Sequence, residues 1–141
     1  MPYDTVDFSL EQDIRKAAIE SGAVGTCPIS DIINRISGKW DLFLLTALAE
    51  QSRRFGELRR LFPDISQRML TETLRKLQRD GYAHREVLPT SPPSVEYSLT
   101  PLGTSLYGRV RLLLQWAGMN YQAVHEARAA FDTVQTDLRQ V

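Results

Sequence analysis

Pro63-Asp64 separates two short amphipathic segments, and this punctuation constrains the fold more than any other feature of the chain. Before it, residues 55–62 place Phe55, Leu58, Leu61 and Phe62 on one face of two helical turns, with Arg59 and Arg60 between them. Proline lacks the N–H that would continue such a helix, so the chain turns there. After it, Ser66 is suited to cap a new helix, and Ile65 and Leu70 stand at the spacing of a hydrophobic staple. Leu70, Leu74 and Leu77 recur at i, i+4 and i+7 as one apolar stripe, and Gly81 is placed to end the helix in the left-handed conformation.

A hairpin follows. Residues 82–88 and 94–99 are rich in β-formers, with Val95, Tyr97 and Leu99 at period 2. Pro89, Pro92 and Pro93 crowd the connection, where proline costs no ladder bond. Two helices across a tight turn, followed by a two-stranded wing, make a winged helix-turn-helix. The expected fold class is mostly α, an α+β winged helix core with extra N- and C-terminal dimerisation helices. Such a core serves to place its second helix in the DNA major groove.

The residues off the leucine stripe carry the chemistry. Ser66, Gln67, Arg68, Thr71, Arg75 and Lys76 are candidates for contact with bases and phosphates, and Arg85 on the hairpin is a further phosphate candidate. A solvated face on an amphipathic helix would look the same in isolation. The formal net charge of zero also argues against a polyanion partner, but its distribution does not. Residues 53–85 hold nine Arg or Lys against four acids, a net of +5, whereas residues 1–34 hold six acids against Arg15 and Lys16, a net of −4. A chain polarised in this way can present one face to phosphates.

The flanks read as helices. Ser9 and Gln12 have capping-box spacing, and Leu10, Ile14, Ala17 and Ala18 form a narrow stripe in a helix expected over residues 10–21. Pro28 suits a first helical turn, with Ile29, Ile32, Ile33 and Ile36 expected to be buried. After Gly38, another helix would bury Trp40, Phe43, Leu44, Ala47 and Leu48. Thr100-Pro101 is a strong helix start, with Leu102, Leu106, Val110, Leu113, Leu114 and Ala117 on one face. Gly118 is an expected interruption before a further helix over about residues 120–138. These faces lie outside the winged core, and a second copy of the chain is the simplest cover for them. The expected organisation is residues 1–26 as a helical extension with a dimer contact, 27–100 as the DNA-binding domain and 101–141 as dimerisation helices.

Cys27 would sit at a helix start, where the backbone dipole favours a thiolate; a small buried residue fits the same position. A single cysteine cannot form an internal disulfide. No apolar run reaches the roughly 20 residues of a membrane span, and the N-terminus lacks the pattern of a signal peptide, so a cytoplasmic protein is expected.

Several separated motifs, in order, resemble the HxlR family of bacterial transcription regulators, relatives of the MarR group. They are Cys-Pro-Ile at 27–29, Gly-Lys-Trp at 38–40, Arg-Phe-Gly-Glu-Leu-Arg-Arg at 54–60, Ile-Ser-Gln-Arg-Met-Leu-Thr-Glu-Thr-Leu-Arg-Lys-Leu at 65–77, Asp-Gly-Tyr at 80–82 and Val-Glu-Tyr-Ser-Leu-Thr-Pro-Leu-Gly at 95–103. The resemblance covers residues 27–117. It implies a homodimer on inverted-repeat double-stranded DNA operators, and it matches Cys27 to the cysteine through which some members sense quinones, aldehydes or oxidants. The segments before Cys27 and after Ala117 are longer than the family pattern.

An enzyme finds little support. The two histidines, His84 and His125, are far apart, and there is no Gly-x-Ser-x-Gly elbow or Gly-rich phosphate loop. No cofactor or metal is expected, since no second ligand type stands near His84. Two other readings are a winged helix that binds protein rather than DNA, which the basic second helix disfavours, and a regulator that senses a non-covalent aromatic effector. Trp40, Trp116 and Tyr121 would suit such a pocket, or plain packing.

Overall fold

The computed structural model describes residues 12, 13, 16, 19 and 28–141. Of the helix expected over 10–21, Gln12, Asp13, Lys16 and Ile19 are described and helical; the rest of that helix, and Cys27, lie outside the described residues. The chain divides into two units, Met1–Phe43 and Leu44–Val141.

The first unit contains α1 (Pro28–Ile36) and the start of α2 (Lys39–Glu50). The Leu42 N–H donates to the Gly38 carbonyl at 3.2 Å, so Gly38 separates the two helices as its position suggested. A Cβ at Gly38 would collide with the Asp41 carboxylate. Burial departs from expectation: Ile32 and Ile33 are 50% and 54% exposed, Phe43 is exposed and Trp40 is half-buried. An apolar face disappears only where another element covers it. Its ring meets Phe43 edge-on at 5.8 Å, and the Lys39 ammonium lies 4.8 Å from its centroid.

The second unit is built on leucines. Leu44, Leu45 and Leu48 from the end of α2 are buried, as are Leu58 of α3 (Phe55–Leu61) and Leu70, Leu74 and Leu77 of α4 (Gln67–Arg79). The α3–α4 turn is closed by Phe62 N–H donating to Leu58 O and Ile65 N–H donating to Phe62 O. Gly81 adopts φ +85°, the conformation a side chain would resist, and lets α4 exit into the sheet.

The wing is three-stranded rather than two-stranded. Strands β2 (Ala83–Leu88) and β3 (Ser94–Leu99) form the expected antiparallel hairpin, from Ala83 opposite Leu99 to Leu88 opposite Ser94. A two-residue strand, β1 (Arg53–Arg54), adds to the other edge of β3, with Arg53 opposite Tyr97 and Arg54 opposite Glu96. So short a strand has no periodicity to detect. It is anchored by Arg53, whose guanidinium donates to the Ala47 carbonyl at 3.2 Å and pairs with Glu50 at 2.8 Å.

After the sheet, the Thr100 hydroxyl accepts from the Gly103 N–H and donates to the Gly81 carbonyl, while its backbone N–H donates to the Tyr82 carbonyl. This cap starts α5 (Pro101–Arg139), one continuous helix of 39 residues where two were expected. Gly118 does not break it, because a helical glycine costs only about 1 kcal/mol relative to alanine and still donates and accepts its backbone bonds. Of the apolar face proposed for its first part, only Val110 is fully buried; Leu102 and Leu113 are exposed. No helix among the described residues is long and apolar enough to cross a membrane.

Two of the three glycines of α5, Gly103 and Gly118, differ in their surroundings. A Cβ at Gly103 would run into the Tyr82 carbonyl, whereas one at Gly118 meets nothing within 4 Å. Gly103→Ala is expected to lower stability by about 1–3 kcal/mol, the range for overpacking. Gly118→Ala should raise it by up to about 1 kcal/mol. Chemical denaturation of both variants measures the two signs.

Candidate nucleic-acid interface

The candidate face begins at the cap of α4. The Ser66 hydroxyl accepts from the Met69 N–H at 3.0 Å, satisfying one of the free donors of the first turn. Ser66 is therefore occupied in shaping the helix start. Ile65 before it and Leu70 after it are both buried, as a hydrophobic staple requires. Thr73 is also buried, and sequence reading missed it. It lies three residues after Leu70 on the leucine side, and its hydroxyl donates to the Met69 carbonyl at 2.7 Å, so it enters the core with its polar atom satisfied. The spacing from Leu70 was the available signal.

With the leucines inside, Gln67, Arg68, Thr71 and Arg75 are exposed. Residues 68, 71 and 75 stand at i, i+3 and i+7 and share a face, which Gln67 adjoins at the helix start. Three local bonds order this face. Gln67 Oε1 accepts from Arg59 Nη1 of α3 at 3.2 Å. Arg68 Nε donates to Glu72 Oε1 at 3.0 Å, and the Thr71 hydroxyl donates to the Gln67 carbonyl at 2.9 Å. The Arg68–Glu72 pair is open to solvent, at 88% and 56% exposure, and is worth only a few tenths of a kcal/mol to the fold.

The other candidates separate. Lys76 is half-buried, which sets it apart from the exposed Arg75. Arg85 and His84 are both exposed on β2, but strand alternation sends them to opposite faces of the hairpin. Arg85 is opposite Tyr97, whereas His84 shares its face with Glu86, which stands opposite Glu96. The Arg85 side of the wing is therefore the more cationic.

Arg54 and Arg60 were not among the candidates. Neither makes an ion pair among the described residues, and both line a cleft of about 490 Å³ between the start of α3 and β3, with Phe55, Glu57 and Tyr97. This cleft is not the one sketched around Trp40, Trp116 and Tyr121. Trp116 and Tyr121 are exposed on α5, where Tyr121 stacks on His125 at 5.7 Å. Among the described residues no three His, Cys, Asp or Glu side chains gather as metal ligands would.

Comparison with known proteins agrees with this geometry. A model of HxlR-like helix-turn-helix proteins matches residues 35–125, which takes in every element from α2 through the wing and leaves out Cys27 and the end of α5. The HTH-type transcriptional regulator YtfH of Escherichia coli (strain K12) is 38% identical over 107 residues, covering 74% of this chain and 85% of YtfH. The HTH-type transcriptional regulator YdeP of Bacillus subtilis (strain 168) is 42% identical over 104 residues, covering 74% and 81%. Among solved structures, the redox regulator HypR in its oxidized form superposes with a TM-score of 0.62 at 44% identity, covering 67% of this chain and 97% of HypR.

Proposed function

We infer that this chain, which belongs to the HxlR-like helix-turn-helix family, acts as a transcriptional regulator and not as an enzyme. From that premise, we propose that it binds an inverted-repeat operator as a homodimer, with α4 in the major groove. The observation that carries this reading is the exposed cluster of Gln67, Arg68, Thr71 and Arg75 on a helix whose other side is sealed by leucine. In helix-turn-helix proteins the first turns of the second helix reach base edges. Gln67, Arg68 and Thr71 are assigned to bases. Arg75, Lys76 and Arg85 are assigned to phosphates, and Ser66 to the cap that aims the helix.

In a gel-shift with DNA from upstream of the protein's own gene, Arg68→Ala is expected to cost about 1–3 kcal/mol of specific binding. Arg75→Ala and Arg85→Ala should weaken binding to all sequences and flatten the salt dependence by about 0.9 per lost contact. Unchanged affinity in Arg68→Ala would remove the reading face from this assignment.

The dimer is assigned to the terminal helices, residues 1–26 and 101–141. On α5, Val124, Phe131 and Leu138 follow at seven-residue intervals with Ala127 and Val134 interleaved, the period of a helix–helix seam, and all are exposed in the single chain. Two such subunits would set their recognition helices about 34 Å apart, one DNA turn. Sedimentation is expected to give a dimer at micromolar concentration, and deletion of residues 1–22 should weaken or reshape it. A stable full-length monomer would overturn the assignment.

A second reading concerns the signal. Similarity to HypR, a redox regulator, favours Cys27 as an electrophile or oxidant sensor over a non-covalent aromatic effector. With one cysteine per chain, a disulfide must bridge two subunits or capture a small thiol, and an electrophile would form an adduct. Any of these changes bulk near α1 and alters half-site spacing without touching a base contact. Diamide or a quinone should release DNA from the wild type and not from Cys27→Ser. Equal responses in the two proteins would make the cysteine structural.

A further inference from the structure

The hydrogen bonds around the first turn of α4 decide which atoms of its side chains are left for DNA. The following inference rests on the reading of α4 as the base-reading helix. A glutamine that reads adenine needs both ends of its amide: the oxygen accepts from the adenine N6 amino group while the nitrogen donates to N7. Here the Gln67 oxygen is turned to Arg59 Nη1, a residue of the preceding helix, at 3.2 Å. That bond takes one of the oxygen's two lone pairs and draws it toward the preceding helix; the amide NH₂ is the end left free, and it can only donate. The Thr71 hydroxyl has given its proton to the Gln67 carbonyl at 2.9 Å, so toward a base it offers lone pairs and a methyl group.

Arg68 is restrained in a complementary way. Its Nε is held by Glu72 one turn later at 3.0 Å, while no partner holds the two terminal nitrogens among the described residues. A guanidinium whose inner edge is fixed keeps its plane, and its outer edge is the fork that matches guanine O6 and N7. Glu72 is thus more than a stray acid on a basic helix. Its carboxylate sets the orientation of the neighbouring cation.

We propose that Arg59 and Glu72 are positioning residues that fix Gln67 and Arg68 as hydrogen-bond donors, and so select guanine opposite Arg68 and guanine or thymine opposite Gln67. Both preferred bases present acceptors in the major groove, N7 and O6 for guanine and O4 for thymine. Cytosine presents a donor there and is rejected at both positions. Adenine at the Gln67 position loses one of the two bonds that would recommend it.

The test is selection from a pool of randomised duplexes by four full-length proteins: the wild type, Glu72→Ala, Glu72→Gln and Arg59→Met. The wild type should enrich guanine at one position of each half-site, beside a position held by guanine or thymine. Glu72→Ala should weaken the guanine preference by roughly twofold, the hold of one exposed i,i+4 ion pair on the Arg68 fork. Its affinity for DNA of any sequence should hold or rise, because a negative charge has left the interface. Glu72→Gln should recover part of the preference, since its amide oxygen still accepts from Nε. Arg59→Met should admit adenine at the Gln67 position; a lost phosphate contact alone would lower affinity everywhere and leave base preference as it was. The same base preferences in all four proteins would overturn the proposal while leaving α4 as the reading helix. A wild type that enriches no sequence would overturn that reading and this assignment with it.

Discussion

Leu70, Leu74 and Leu77 are sealed from water, and the exposed side of α4 is exposed because they are not. A helix has no preferred rotation about its own axis until one face is buried. Once three leucines are inserted, each contributing on the order of 2 kcal/mol of apolar burial, every other residue has its direction set to within a few tens of degrees. Leu58 from α3 and Leu44, Leu45 and Leu48 from α2 complete the same core. The Ser66 cap then fixes where along the axis the helix begins, and Gly81 where it stops. The candidate reading face follows from apolar packing, and its polar residues had only to be of the right type.

That is why α4 was legible in the sequence down to its cap. A strict leucine period, a serine at the right offset and a glycine at the end are local signals, and the structure uses each locally. Strand β1 was not legible, because Arg53 and Arg54 become a strand only through the edge offered by β3, more than forty residues later. The exposure of Ile32 and Ile33 was misjudged for a related reason. A helical stripe records that a residue is suited to burial and says nothing of what lies beside it. Gly118 illustrates the reverse error: a residue read as a stop lacked the proline or left-handed turn that would have made it one.

The candidate site divides along the same line. Its residue types could be read from the segment, but the reach of Arg59 across the turn to Gln67 and the hold of Glu72 on Arg68 could not. The alternation that puts His84 with Glu86 and Arg85 with Tyr97 required the register of the hairpin. Net charge alone would mislead. A zero total hides five surplus positive charges over residues 53–85, and a polyanion responds to the field at a surface and not to a sum over the chain.

The Thr100 junction gives the long last helix a mechanical property. Two hydrogen bonds from Thr100, to the Gly81 and Tyr82 carbonyls, clamp its root to the link between α4 and the sheet, a third from Gly103 caps its first turn, and 39 residues of unbroken backbone run on from there for about 58 Å. Such a rod is a lever with a short, stiff fulcrum. A tilt of about 5° at the root displaces the far end by about 5 Å, and a grip on the far end resists rotation at the root with the same leverage. Angular play in the reading head is therefore magnified at the tip, where a modest restraint is enough to remove it.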